Sequence, residues 1–121
     1  MTADSLQVTL ETDKPAYRAG EPVELILRLT NRSAGAKTLE FSSSQRYDFK
    51  IEDSGGGASV WTWSADRMFA QMMGTERLGP GESREYRERF SGQLAPETYQ
   101  ATGTISTLGP TPRATASFTV Q

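Results

Sequence analysis

Apolar residues recur at every second position along most of this chain, which is the spacing of a β-strand with one buried face. In residues 22–30, for example, Val23, Leu25, Leu27 and Leu29 occupy alternate positions. The same alternation predicts further strands at residues 6–10, 38–41, 46–52, 58–63, 84–90, 98–107 and 115–120.

Turn-forming residues separate these strands. Glycine, proline, asparagine and aspartate cluster at residues 31–35, 53–57 and 108–112, and Gly79-Pro80-Gly81 has the order of a type II turn. Short strands joined by such turns predict antiparallel sheets whose apolar faces must be hidden from water. We therefore predict an all-β, immunoglobulin-like antiparallel β-sandwich of about seven to nine strands. Its expected core consists of Leu25, Leu27, Phe49, Ile51, Tyr99, Ile105 and Phe118.

The pattern is ambiguous over residues 64–74. Ser64 could cap a short helix that carries Ala65, Met68, Phe69 and Met72 on one face and crosses between the sheets. Alternatively, a single helical turn after Ser64 could lead into a strand from about residue 70 to residue 78. We favour the second arrangement, because most connections in sandwiches are short and this strand would form a hairpin with residues 84–90.

Composition narrows the class of protein. A chain of 121 residues is the size of one domain, for which we expect a single core preceded by a flexible start at residues 1–5. The net charge of -2 and the interleaved charges argue against nucleic-acid binding, and no apolar run could cross a membrane. The absence of cysteine and of a signal-like start indicates a cytoplasmic protein, which we expect to be a monomer.

The chain offers little for catalysis. It contains no histidine and no cysteine, so Ser-His-Asp, Cys-His and histidine-based zinc sites cannot be built. Asp48 and Glu52 fall on the strand face opposite the apolar residues and are expected to be solvated, and Asp53 lacks the surrounding carboxylates of a calcium loop. We predict that the protein is not an enzyme and that it needs no metal and no cofactor.

One segment concentrates the side chains that bind partners most strongly. Residues 61–69 read Trp-Thr-Trp-Ser-Ala-Asp-Arg-Met-Phe and contain both tryptophans. Aromatic residues and arginine are the commonest anchors of protein interfaces, but aromatic residues are also the largest core residues. Trp61 is expected in the core, whereas Trp63, Met68 and Phe69 could either close the sandwich or face a partner.

Several blocks in this order resemble the BsuPI family of intracellular proteinase inhibitors. The blocks are Lys14-Pro15-x-Tyr17, Gln45-Arg46-Tyr47-Asp48-Phe49, Trp61-x-Trp63-Ser64-x-x-Arg67-Met68-Phe69 and Leu78-x-Pro80-Gly81-Glu82. The first occurs in many bacterial immunoglobulin-like domains, whereas the second and third are more specific.

The resemblance implies a domain that binds and restrains an intracellular subtilisin-like serine protease, without activity or cofactor of its own. Such proteases take an apolar side chain in their main specificity pocket, so the candidate contact residues lie in the segment that offers several: Trp63, Ser64, Arg67, Met68, Phe69, Met72 and Met73. The alternative function is a non-inhibitory interaction or adhesion module, taken from a larger or secreted protein.

Overall fold

The computed structural model of the chain describes residues 6–55, 57–109 and 111–121, so the expected flexible start at residues 1–5 lies outside the described residues. Ten strands and one 3-10 helix are formed in these ranges. The strands are β1 (Leu6–Thr12), β2 (Ala16–Tyr17), β3 (Val23–Asn31), β4 (Lys37–Phe41), β5 (Tyr47–Asp53), β6 (Ser59–Thr62), β7 (Gly74–Leu78), β8 (Ser83–Phe90), β9 (Thr98–Ile105) and β10 (Arg113–Val120), and the helix is Trp63–Asp66.

The strands form two main sheets and one separate ladder. One sheet has the order β1-β3-β8, the other has the order β2-β10-β9-β5-β6, and β4 pairs with β7. All of these pairings are antiparallel except the one between β10 and β2. The predicted all-β, immunoglobulin-like sandwich is confirmed.

The core lies between the two main sheets. Leu25, Leu27 and Leu29 of β3 have no exposed surface, and Leu27 lies so close to Gly103 of β9 that a Cβ there would meet its Cδ1 at 2.8 Å. Because Gly103 has no side chain, the opposite sheet can approach Leu27 directly. Every residue of the predicted core is buried in the structure: Leu25, Leu27, Phe49, Ile51, Tyr99, Ile105 and Phe118.

The strand count exceeds the prediction by one in the described part of the chain. The strand missing from the prediction is β2, whose Ala16 and Tyr17 pair in parallel with Thr119 and Val120. Two residues are too few to show a period, so hydrophobic alternation could not reveal this strand. The predicted sheets were entirely antiparallel, and this short pair is the exception.

The region around residues 64–74 follows the favoured alternative only in part, because a helical turn leads into a strand with shifted boundaries. The predicted hairpin of this strand with residues 84–90 is wrong, since β7 pairs with β4 while β8 pairs with β3 in another sheet. The helical turn is a 3-10 helix that begins at Trp63, and the long crossover helix is not formed. The following strand begins at Gly74 and not near residue 70. It begins there because its partner β4 ends at Phe41, which pairs with Gly74, so earlier residues have no strand beside them.

Asn31 ties the end of β3 to the turn between β7 and β8. Although it is fully buried, its Nδ2 donates to Leu78 O at 2.9 Å and to Gly79 O at 3.1 Å. Glu82 N donates to Gly79 O at 3.0 Å, and Gly81 has a φ of 76°, as the predicted type II turn requires. The buried amide is therefore satisfied by the turn that it stabilises.

Candidate functional site

Trp63 is part of an aromatic stack at the edge of the sandwich. Its side chain is 7% exposed, and its ring lies 4.8 Å from that of Tyr47, which in turn lies 4.7 Å from Tyr86. Trp61 is half-buried and packs against Phe90 with a centroid distance of 5.2 Å. Of the two interpretations left open for Trp63, core packing is the one that its burial supports.

The stack is also unusual in its polar atoms. The Tyr47 hydroxyl donates to Glu88, and burial together with this carboxylate raises the Tyr47 pKa above its ordinary value. Burial likewise raises the pKa of Tyr86. Trp63 Nε1 and Tyr86 Oη are buried with no hydrogen-bond partner in the described residues. The stack is therefore held together by ring packing, with one hydrogen bond at Tyr47.

Ser64 fixes the start of the 3-10 helix to β5. Asp48 Oδ1 accepts from Ser64 N at 3.1 Å, and Asp48 Oδ2 accepts from Ser64 Oγ at 2.5 Å. Asp48 is half-buried, so the expectation that it is simply solvated is wrong. Ser64 was a candidate contact residue, but both of its hydrogen bonds to Asp48 hold the segment in place.

Arg67 and Phe69 pack onto Trp63. The Arg67 guanidinium carbon lies 4.4 Å from the Trp63 ring centroid, and Arg67 Nε donates to Trp63 O at 3.2 Å. The Phe69 ring is half-buried, with its centroid 5.8 Å from that of Trp63. Trp63 therefore serves as a platform for two residues of the irregular segment that follows it.

A second attachment lies further along the same segment. Ser44 N donates to Ala70 O at 2.9 Å, and Ala70 N donates to Ser44 Oγ at 2.9 Å. Nearby, Arg46 Nε lies 2.6 Å from Glu76 Oε2, and the Arg46 guanidinium covers the Phe41 ring at 4.4 Å. The segment is thus fixed to residues that precede β5 as well as to Trp63.

The methionines of this segment point into solvent. Met68 is 98% exposed, Met72 is 69% exposed and Met73 is 73% exposed. Among the described residues, these are the three most exposed large hydrophobic side chains, ahead of Val60 and Leu108. The suggestion that Met68 helps to close the sandwich is therefore wrong. We call residues 67–73 the methionine segment.

The structure thus sorts the candidate contact residues into two groups. Trp63, Ser64 and Phe69 attach the segment to the sandwich, whereas Arg67, Met68, Met72 and Met73 lie at its surface. Sequence reasoning missed the attachment roles of Ser44, Asp48 and Tyr47, because each makes its contact across a separation in sequence. Tyr47 and Asp48 did give a signal as part of the block Gln45-Arg46-Tyr47-Asp48-Phe49, but a sequence block does not show which residues its members contact.

No group of three or more histidine, cysteine, aspartate or glutamate residues that could hold a metal is present in residues 6–55, 57–109 and 111–121. In the same ranges no helix has the length and apolar character needed to traverse a bilayer.

Comparison with known proteins gives a family and a fold. Residues 10–109, most of the chain, match the family model BsuPI, described as intracellular proteinase inhibitor. No curated protein matches the chain.

Solved structures share the fold at low sequence identity. The sporulation control protein Spo0M from Bacillus subtilis is 14% identical with a TM-score of 0.62, and the match covers 97% of this chain and 49% of that one. The alkylpurine DNA glycosylase AlkC from Pseudomonas fluorescens is 15% identical with a TM-score of 0.58, covering 97% and 30%. The CARDB domain of the PF1109 protein from Pyrococcus furiosus is 15% identical with a TM-score of 0.54, covering 96% and 87%. The chain therefore spans about half of Spo0M and less than a third of AlkC.

Proposed function

This chain belongs to the BsuPI family of intracellular proteinase inhibitors, and we propose on that basis that it binds a subtilisin-like serine protease inside the cell and slows it. We further propose that the domain hydrolyses no substrate itself, acts as a monomer in the cytoplasm and needs no cofactor. The family supports the inhibitory role, and the protease class is our extension of it.

The observation that carries the proposal is the exposure of the methionine segment. Soluble proteins rarely leave several large apolar side chains in water at one place unless that place binds a partner. Here three methionines lie within six residues at 69–98% exposure, beside Arg67. Methionine adapts its shape to an apolar pocket, and arginine is among the residues enriched at interface anchors.

The attachments of the segment support inhibition in particular. A peptide that a protease cleaves quickly is mobile, whereas a segment already held in its bound shape loses little entropy on binding. The Trp63 platform and the Ser44–Ala70 bonds hold the methionine segment in this way. We propose that Arg67, Met68, Met72 and Met73 contact the protease, while Trp63, Ser64 and Phe69 support them.

The first test is a titration of an intracellular subtilisin-like protease with the purified protein. Proteolysis is expected to fall to a low plateau at micromolar inhibitor, and a trypsin-like serine protease serves as the specificity control. The inhibitor is first treated with a chelator and then desalted, so that any metal requirement of the protease stays unaffected. Inhibition is expected to be the same after this treatment.

The alternative function, a non-inhibitory interaction module, is favoured by the structural neighbours, since the same fold forms only part of Spo0M and AlkC. The titration separates the two functions when binding is measured in parallel by calorimetry. A domain that binds the protease without slowing it, or that has no effect on several such proteases, would leave the interaction module as the better account.

A further inference from the structure

Met68 differs from the other residues of the methionine segment in how it is presented. Its side chain is 98% exposed, while the residues on both sides of it are held against the sandwich. We infer that Met68 is the side chain that enters the main specificity pocket of the target protease, an inference that rests on the proposed function. The other candidates for this role are Phe69, Met72 and Met73.

The chain before Met68 is fixed by Arg67. Arg67 N donates to Ser64 O at 3.2 Å, and its Nε donates to Trp63 O at the same distance. Its backbone is extended, with φ of -121° and ψ of 153°. A protease binds its substrate as an extended strand, so the approach to Met68 already has the required backbone form.

The chain after Met68 is fixed by two neighbours. The ring of Phe69 rests on Trp63, and Ala70 exchanges two hydrogen bonds with Ser44. Together with Arg67, these contacts hold the backbone on both sides of one outward-pointing apolar side chain. Binding at the pocket therefore has to order the Met68 side chain but little of the backbone around it, which lowers the entropic cost of association.

The backbone groups next to Met68 are left for the partner. In the part of the chain that the structure describes, the N–H and C=O groups of Met68 and Phe69 make no hydrogen bond, whereas those of Ala70 both bond to Ser44. Proteases hold extended peptides through main-chain hydrogen bonds at a sheet edge. The open groups thus lie where such an edge would pair.

The other three candidates fit less well. Phe69 is half-buried on Trp63 and would have to leave its platform to enter a pocket. Met72 and Met73 are less exposed than Met68, and they lie between the Ser44–Ala70 bonds and the start of β7 at Gly74. Met68 is distinguished by its nearly complete exposure and by neighbours on both sides, Arg67 and Phe69, that pack on Trp63.

The assignment also identifies the bond that the protease would attack. With Met68 in the pocket, the bond facing the catalytic serine is the one between Met68 and Phe69. Its hydrolysis adds one water, leaving a carboxylate on Met68 and an amino group on Phe69. Arg67 and Phe69 would keep both new ends on the Trp63 platform, so release of the cleaved segment is expected to be slow.

The test compares matched aspartate substitutions in the same segment. Met68→Asp is expected to weaken inhibition of the subtilisin-like protease by about 30-fold or more, the effect of losing a central anchor. Met72→Asp and Met73→Asp introduce the same charge at contact residues outside the pocket, so they are expected to weaken inhibition measurably but by less than about fivefold, as peripheral contacts of an interface do. Met68→Leu keeps the volume and apolar character, so it is expected to stay within about threefold of the parent.

Two further measurements complete the experiment. The unfolding midpoints of all four variants are expected to equal that of the parent, because each changed side chain is exposed. After long incubation with the protease, mass spectrometry is expected to show that any cleavage of the inhibitor occurs at the bond between Met68 and Phe69. Inhibition by Met68→Asp equal to that of the parent, or cleavage after Met72 or Met73 instead, would overturn the assignment while leaving the inhibitor function intact. If the parent protein inhibits no subtilisin-like protease, that result would contradict both the Met68 assignment and the proposed inhibitor function.

Discussion

Replacing Trp63 by alanine is expected to lower the free energy of unfolding by about 3 kcal/mol, the lower end of the range for a buried tryptophan. The loss comes from the packing of the ring against Tyr47, Arg67 and Phe69. The lower end applies because the substitution also removes Nε1, a buried donor with no partner in the described residues. Chemical denaturation of the parent and the variant measures the difference.

The same substitution is expected to abolish inhibition even where the variant is folded, because Arg67 and Phe69 lose their platform. Trp63→Phe keeps an aromatic ring and removes the unpartnered N–H, so this variant is expected to retain most of the stability and most of the inhibition of the parent. Asp66→Ala is the matched control, since Asp66 is exposed on the same 3-10 helix. A folded Trp63→Ala variant that inhibits as well as the parent would show that the platform has no role in binding.

Replacing Phe118 by alanine is expected to cost about 4 kcal/mol of unfolding free energy. Phe118 is 1% exposed, meets Tyr17 edge-on and stacks on Tyr99, each with a centroid distance of 5.6 Å. Truncation would leave a cavity between β2, β9 and β10 that these two rings cannot both fill. The neighbouring Ser117→Ala, at an exposed position, is expected to change stability by less than about 0.5 kcal/mol.

The comparison of the two core substitutions is informative about function. Below its unfolding midpoint, Phe118→Ala is expected to inhibit like the parent, because the ring contacts of Phe118 are with Tyr17 of β2 and Tyr99 of β9. Trp63→Ala is expected to inhibit poorly under the same conditions. If Phe118→Ala loses less than about 1 kcal/mol of unfolding free energy, that result would contradict the placement of Phe118 on the buried face of β10.

Hydrophobic alternation was enough to predict the main strands and the core. Leu27, Phe49 and Phe118 are buried, as the alternation of apolar and polar positions predicted. A shift of one residue would have put each of them on the solvent-exposed face of its strand. The boundaries of β7 and the existence of β2 depend on which strand lies alongside, and alternation within one segment carries no such information. These are the parts of the fold that the sequence pattern left undetermined or missed.

The candidate segment was located from its aromatic residues, but its geometry was not predictable. Whether Trp63 supports the segment or faces a partner depends on Tyr47, and the exposure of Met68 depends on the bonds between Ser44 and Ala70. These pairs are joined only by tertiary structure. Local pattern therefore identified the residue types of the site, while their division into supports and exposed side chains required the fold.

Hydrogen exchange on the complex with an intracellular subtilisin-like protease tests the central claim, that the methionine segment is the inhibitory surface. The amides of Met68 and Phe69 have no hydrogen bond in the part of the chain that the structure describes, so they are expected to exchange rapidly in the free protein and to gain the largest protection on binding. Residues 31–35 and 79–82, at the other end of the β4–β7 ladder, are expected to be unchanged. Protection of those turns without protection of residues 67–73 would contradict the account.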